Sequence, residues 1–230
     1  MKTLIIIPAY NEQDNIKRVV DNLIENYPQF DYVIVNDGSR DNTARICREN
    51  NYNLIDLPVN LGLAGGFQTG LKYAHKKGYT RAIQFDADGQ HLPQYIQPMV
   101  DEMDKTGVDI VIGSRFVTEP KPKSLRMFGS YLIATAMWLT TGRKLTDPTS
   151  GMRLFNEKMI KEFAMDANYT PEPDTISYLM KNGATVSEVQ VEMAERIAGE
   201  SYLNPVNAVK YMLKMGISIV LIQWFRKRKG

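Results

Sequence analysis

Five short runs rich in β-branched residues punctuate the first half of the chain: "TLIII" (3–7), "YVIVN" (32–36), "NLIDL" (53–57), "AIQF" (82–85) and "DIVIG" (109–113). Near-continuous apolar runs of this length are what strands buried on both faces carry. Between the first two, residues 13–27 place Ile16, Val19, Val20, Leu23, Ile24 and Tyr27 on one helical stripe, with Asn11 as the expected cap. Residues 41–50 and 63–77 read the same way. Strand–helix alternation at this spacing predicts βαβ units, hence an α/β fold with a mostly parallel sheet covered by helices on both faces. Ligands of such sheets bind beyond the carboxyl ends of the strands. Chemistry-bearing residues should collect there.

They do. The first strand runs into Pro8, Tyr10, Asn11 and Glu12, and the second into Asn36, Asp37, Gly38 and Ser39, with Asp41 and Thr43 following. The fourth ends in Asp86, Asp88 and Gln90, the fifth in Gly113, Ser114 and Arg115. Any one of these ends reads as turn chemistry, since Asp, Asn, Gly and Ser dominate turns. Four on one edge are harder to read that way. The most demanding is Asp86-Ala87-Asp88, because two like charges so close repel unless a cation lies between them. On an extended segment Asp86, Asp88 and Gln90 share one side. Three oxygen ligands without sulfur or imidazole suit a hard divalent ion, Mg2+ or Mn2+. Such an ion completes its shell from a diphosphate and water, while acids after the first two strands hydrogen-bond a base and ribose. The residues therefore predict a nucleoside-diphosphate site.

Several classes drop out. Cys47 is the one cysteine, so no intrachain disulfide forms, and with His75 and His91 it cannot build a zinc site. Its helical spacing predicts a buried, structural thiol. "NLGLAGGFQTG" (60–70) lacks the lysine of a P-loop and the GxGxxG order of a dinucleotide site, and reads as a close-packed helix start beside a ligand. Net charge is +2, but Arg226, Lys227, Arg228 and Lys229 hold four positives, so residues 1–225 carry −2. A nucleic-acid binder would spread its charge over a face. The apolar run Leu4–Ile7 is too short for a signal-peptide core, which predicts a cytosolic body.

Beyond residue 115 the pattern changes. "VTEPKPKS" (117–124) is a basic, proline-containing loop, and 125–142 a helix apolar on nearly every side. "DPTSGMRLF" (147–155) reads as a loop leading to a short strand, "TPEPDTISYLMKNG" (170–183) as loop, helix and glycine stop, and "TVSEVQV" (185–191) as another strand.

"IIIPAYNEQDNI", "VNDGSRDNT", "NLGLAGGFQTGL", "FDADGQH", "VIGSRF", "DPTSGMRLF" and "ERIAGES" follow in order across residues 4–201. In these stretches the chain resembles the family 2 glycosyltransferases of GT-A fold, in the branch that moves a hexose from a nucleotide sugar to a polyprenyl phosphate. The resemblance implies that Pro8, Tyr10, Glu12 and Asp37 hold the nucleoside. It also implies that Asp86, Asp88 and Gln90 surround the metal and diphosphate, and that Arg196 reaches the diphosphate. Arg115, Arg126 and Ser130 would lie near the acceptor phosphate, Asp147 beside the reacting centre, and Arg153 would support its loop. Inversion at the anomeric carbon is implied as well. Two departures stand out: Tyr202 follows Ser201 where the family often has lysine, and "TPEPD" (170–174) differs from the mannose-transferring pattern.

Chemistry bears on the acceptor. A sugar hydroxyl needs a general base, whereas a phosphate monoester, with a second pKa of about 6, is already anionic and needs cations to place it. Arg115 and Arg126, beside Lys121 and Lys123, suit the phosphate. The expected donor is a UDP- ahead of a GDP-hexose or N-acetylhexosamine, and the product would feed cell-envelope glycan assembly. Two other readings stay open: a transferase to a glycan hydroxyl with Glu172 or Asp174 as base, and a non-catalytic nucleotide-sugar sensor.

The tail, "NPVNAVKYMLKMGISIVLIQWFRKRKG", has an uncharged stretch Met215–Phe225 of 11 residues. That is about 17 Å of helix, against a bilayer core of about 30 Å. Aromatics beside four cations suit an anionic membrane surface. The expected division is therefore a catalytic domain at 1–203 and, at 204–230, a helix with a basic tail. The tail would lie in the interface of the cytoplasmic membrane face or bind a small membrane-spanning partner. A homo-oligomer is expected, with no nucleic-acid partner.

Overall fold

The computed structural model describes residues 2–166, 169–195, 211, 212 and 214–222, with only the backbone of 125, 126 and 222. Seven strands form one sheet: β1 (Thr3–Ala9), β2 (Asp31–Asn36), β3 (Leu54–Asp56), β4 (Arg81–Gln84), β5 (Ile110–Ser114), β6 (Arg153–Asn156) and β7 (Val186–Gln190). Their spatial order is β3-β2-β1-β4-β6-β5-β7, and only β6 runs against its neighbours. The five expected runs are all strands, shifted by one or two residues at their ends.

Period-two alternation explains the continuous apolar runs. Leu4, Ile6, Val33, Val35, Ala82, Ile110, Ile112 and Phe155 face one core, whereas Ile5, Ile7, Ile34, Ile83, Val111 and Leu154 face the other. Burying each such side chain stabilises the fold by about 1.5–3 kcal/mol. Helices α1 (Ile16–Asn26), α2 (Thr43–Glu49) and α4 (Ile96–Thr106) cover the second face. Helices α3 (Gly62–Lys76), α5 (Leu125–Thr141), α6 (Glu157–Met165) and α7 (Pro173–Lys181) cover the first. On α3, a Cβ at Gly70 would overlap Ile6 of β1, so the glycine run does permit close packing.

Two local expectations need correction. Helix α1 starts at Ile16, not near Asn11, because Asn11 stands at φ 56° with its amide bonded to Ser39 and its side chain to the Arg40 amide. Ile24 falls on the solvent side of that helix rather than on its buried stripe. Helix α5 buries Ile133 and Met137 but leaves Phe128, Tyr131, Leu132, Trp138 and Leu139 exposed. The Cys47 thiol is buried as expected, and burial pushes its pKa up to about 11.

At the C-terminal end, residues 211–212 and 214–217 are helical and Ser218–Ile222 is wound as a π-helix. Met215 and Ile219 join the first core. Among the described residues no helix is long and apolar enough to cross a membrane. The division at 203/204, Arg196, Ser201, Tyr202 and the basic run Arg226–Lys229 lie outside the described residues.

Candidate active site

The parallel strands β1, β2, β4 and β5 present their carboxyl ends at one edge. Antiparallel β6 begins at that edge, since Arg153 pairs with both Gln84 and Ile112. The loop carrying Asp147 is thereby delivered to the same place as Asp86, Asp88 and Arg115. One reversed strand brings the second half of the chain to the site.

On the β1–β2 side the two strand-end loops are laced together. The Glu12 amide donates to Thr43 Oγ1 at 2.8 Å, the Gln13 amide to Asp41 at 3.1 Å, and Asn15 holds the Glu12 carboxylate at 2.9 Å. Asp37, 3% exposed, accepts the Leu61 amide at 2.7 Å through Oδ1. Tyr10 is exposed, and Pro8 and Glu12 are half-buried. These four implied nucleoside residues therefore share one edge.

After β4 the chain does not stay extended. Ala87 and Asp88 form a turn, and Asp88 accepts the Gln90 amide at 3.0 Å. The two carboxylates consequently differ: Asp88 is buried, while about a third of the Asp86 side chain is exposed. Gln84, buried at the end of β4, donates to Asp86 Oδ1 at 3.2 Å. His91, quoted in the motif but given no role, proves central here. Its Nδ1 accepts the Asp86 amide at 2.9 Å, which leaves the ring proton on Nε2, 3.6 Å from Asp86 Oδ2. Gly151 stands so near that a Cβ would lie 3.1 Å from the same Oδ2.

Among the described residues no three His, Cys, Asp or Glu side chains are placed to hold a metal by themselves. The donors present are two carboxylates and the Gln90 amide, all oxygen ligands. Oxygen donors of this kind suit a hard divalent cation that takes the rest of its shell from elsewhere.

The other half of the edge is cationic. Asp147 is fully buried and bound at two points by Arg115, Nε to Oδ2 at 2.7 Å and Nη2 to Oδ1 at 3.0 Å. The Thr149 hydroxyl donates its one proton to the same carboxylate at 3.1 Å and lies 3.3 Å from the Ser130 hydroxyl, which Lys121 also reaches at 3.3 Å. Burial lowers the Lys121 pKa, against the pull of Asp147 and Glu188. Arg126 falls in the first turn of α5, but its side chain is outside the described set.

Two supporting residues escaped the sequence reading. Glu188 of β7 accepts the amides of Thr146 and Asp147 at 2.7 and 2.8 Å. Gln190 takes the Thr118 amide at 2.9 Å and donates to the Arg115 carbonyl at 3.0 Å. Their signal was there in "TVSEVQV", where Glu188 and Gln190 share one side of a strand. That strand's place beside β5 was not readable. The alternative bases are occupied: Glu172 accepts the Tyr211 hydroxyl, and Asp174 accepts Ser218 Oγ at 2.6 Å.

An open, mostly parallel sheet with paired carboxylates beyond one strand and helices on both faces is the GT-A architecture, and the family match makes the chain a glycosyltransferase. The chain belongs to the family described as Glycosyl transferase family 2, whose model matches residues 4–164. It is similar to the polyprenol monophosphomannose synthase of Mycolicibacterium smegmatis, 27% identical over 227 residues, covering 93% of this chain and 85% of that one. It is 32% identical over 211 residues to the UDP-N-acetylglucosamine–dolichyl-phosphate N-acetylglucosaminyltransferase of Methanococcus voltae, covering 82% of this chain and 84% of that one. Its fold is also that of glucosyl-3-phosphoglycerate synthase from Mycobacterium tuberculosis, solved with Mn2+, UDP-glucose and phosphoglyceric acid. There the TM-score is 0.69 at 15% identity, over 100% of this chain and 82% of that one.

Proposed function

We propose that this glycosyltransferase moves a hexose or N-acetylhexosamine from a nucleoside-diphosphate sugar, UDP ahead of GDP, to a polyprenyl phosphate, with inversion. The observation that carries the reading is the state of the acids. Asp147 is buried and committed to Arg115, while Glu172 and Asp174 are committed to hydroxyls of the C-terminal segment. No one of these three is poised to deprotonate a sugar hydroxyl, but Arg115, Lys121 and Ser130 converge as a phosphate site would require. The acceptors named for the M. smegmatis and M. voltae relatives are of that class.

Pro8, Tyr10, Glu12 and Asp37 bind the nucleoside. Asp86, Asp88 and Gln90 would hold Mg2+ or Mn2+, which when bound neutralises charge gathering on the departing diphosphate. His91 and Gln84 orient Asp86. Arg115, Arg126, Lys121 and Ser130 aim a phosphate oxygen at the anomeric carbon; the bond to the diphosphate oxygen breaks as the new bond forms. Asp147 acts by fixing Arg115, not by taking a proton. The apolar outer face of α5, with Ile217 and Leu221 at the C-terminal end, brings the enzyme to the membrane surface where such a lipid resides.

The test is incubation with labelled UDP- and GDP-sugars, polyprenyl phosphate and Mn2+, followed by solvent extraction. Label in the lipid phase supports the reading. Label in a water-soluble glycan, or donor binding without transfer, overturns it.

A further inference from the structure

Among the described residues Arg153 is the largest wholly buried side chain, and it carries a charge that no protein environment removes. Its Nη2 donates to the Pro148 carbonyl at 2.8 Å and its Nη1 to the Pro171 carbonyl at 2.7 Å, while Nε is buried without a partner. Both acceptors are neutral, so the charge must be balanced by carboxylates nearby. Burial lowers the Arg153 pKa, and Glu172, Asp147 and Asp174 are among the groups that oppose it. A buried cation so balanced is costly to disturb, because losing its anions leaves it uncompensated.

Each bonded carbonyl belongs to a segment with a task. Pro148 follows Asp147. Pro171 precedes Glu172 and Asp174, whose carboxylates are held by Tyr211 and Ser218 of the C-terminal segment. That segment is seated as part of the body: Met215 and Ile219 are buried, and Met212 lies on Gly129 of α5 so closely that a Cβ there would overlap its sulfur. One run of contacts thus joins the C-terminal helix to the backbone bearing Asp147.

We propose that Tyr211 and Ser218 are positioning residues for the transfer reaction, acting through Glu172, Asp174 and Arg153 to set the Asp147 loop. Without their hydroxyls, Glu172 turns toward water, while Asp174, which still accepts the Thr175 amide at 2.8 Å, loses its tie to Ser218, and segment 171–174 loosens. Arg153 then loses an acceptor and part of the carboxylate charge that balances it, and the Pro148 carbonyl shifts with it. The helix that leads toward the basic tail is in this way a component of the active site rather than an appendage. The inference rests on the proposed activity only for its kinetic arm.

Tyr211→Phe, Ser218→Ala and the pair are compared with the full wild-type chain by hydrogen exchange and by steady-state kinetics. In the pair, amide exchange should quicken in 145–151 as well as in 171–178 and 211–222, while β1–β3 stay as they were. Turnover should fall about tenfold, the scale of lost hydrogen bonds in a positioned group, with donor affinity unchanged. Exchange that quickens only in 211–222 with turnover intact, or uniformly through the body, overturns the proposal. If the wild type moves no sugar to lipid phosphate, the functional reading falls, and the exchange pattern still decides this one.

Discussion

Arg115 and Asp147 meet in a two-point ion pair in which the carboxylate is wholly buried and the guanidinium side chain is 21% exposed. The two partners are therefore unequal. Asp147 takes its direct ionic contact from Arg115, with Arg153 and Lys121 as further cations in its field, whereas Arg115 retains access to water.

That inequality sets the cost of breaking the pair. Arg115→Ala removes the two-point partner of a buried carboxylate and leaves it to the Thr149 hydroxyl and the more distant Arg153 and Lys121, which should cost about 3 kcal/mol of stability. Asp147→Asn keeps an acceptor oxygen and should cost about 1–2 kcal/mol. Urea unfolding of the two variants measures the difference; equal costs would show that Arg115 does not sustain Asp147. Both variants should lose turnover.

Asp88→Asn should hold the fold within about 1 kcal/mol, because the amide oxygen still accepts the Gln90 N–H. Turnover at saturating Mn2+ should nevertheless fall by about 10²–10³, the scale of removing one group that stabilises transition-state charge. Unchanged turnover would remove Asp88 from the proposed metal site.

How far the sequence spoke depends on how local each feature is. The strands were legible because both faces of the sheet are apolar, and the Asp86–Asp88 pair because it follows one of them directly. Asn11 misled as a cap: its backbone and side chain are taken by the β2–α2 loop, twenty-eight and twenty-nine residues away at Ser39 and Arg40. Glu188 and Gln190 serve the site only because β7 pairs with β5, a long-range register that no periodicity encodes. Glu172 and Asp174 read as candidate bases, since nothing nearby in sequence shows that Tyr211 and Ser218 occupy them. Local pattern carried the scaffold and the acids at the strand ends, and tertiary contact decided the surroundings of Asp147.

Lys121→Met should raise the KM for lipid phosphate while leaving donor binding the same. Because burial lowers the Lys121 pKa, the cation in the wild type is lost at a lower pH than for an ordinary lysine. Acceptor affinity should therefore decline as pH rises through that lowered value, and the variant should lack this limb. An identical alkaline limb in both proteins would remove Lys121 from the phosphate site.

Asp109 ties β5 to β7 and α6. Burial pushes its carboxyl up, but the Thr185 amide, Asn156 and Lys158 outweigh this and hold it below the usual carboxylate value. A depressed folded-state pKa contributes stability that is complete above the unfolded value of about 3.9 and lost as pH falls through the folded one. Asp109→Asn should thus be less stable than wild type at neutral pH, with the gap closing in acid. A gap independent of pH in chemical denaturation would contradict this.

Charge and apolar surface should contribute separately at the membrane. Replacing Arg226, Lys227, Arg228 and Lys229 with glutamine should weaken binding to anionic vesicles by about 1 kcal/mol per charge, and much less to neutral ones. Leu132→Glu with Leu139→Glu, on the exposed face of α5, should weaken binding to both. Vesicle flotation that is unchanged in both variants would place the membrane contact elsewhere.

A phosphate acceptor is what separates the proposed reaction from transfer to a hydroxyl, and a matched pair of acceptors tests it most directly. The enzyme is given one labelled donor with either a polyprenyl phosphate or the corresponding polyprenol, and lipid-phase label and the phosphorus NMR spectrum are followed together. Label should enter the lipid only in the phosphate arm, as the monoester signal is replaced by that of a diester. Equal labelling of the alcohol, or labelled lipid with the monoester signal intact, would contradict the account.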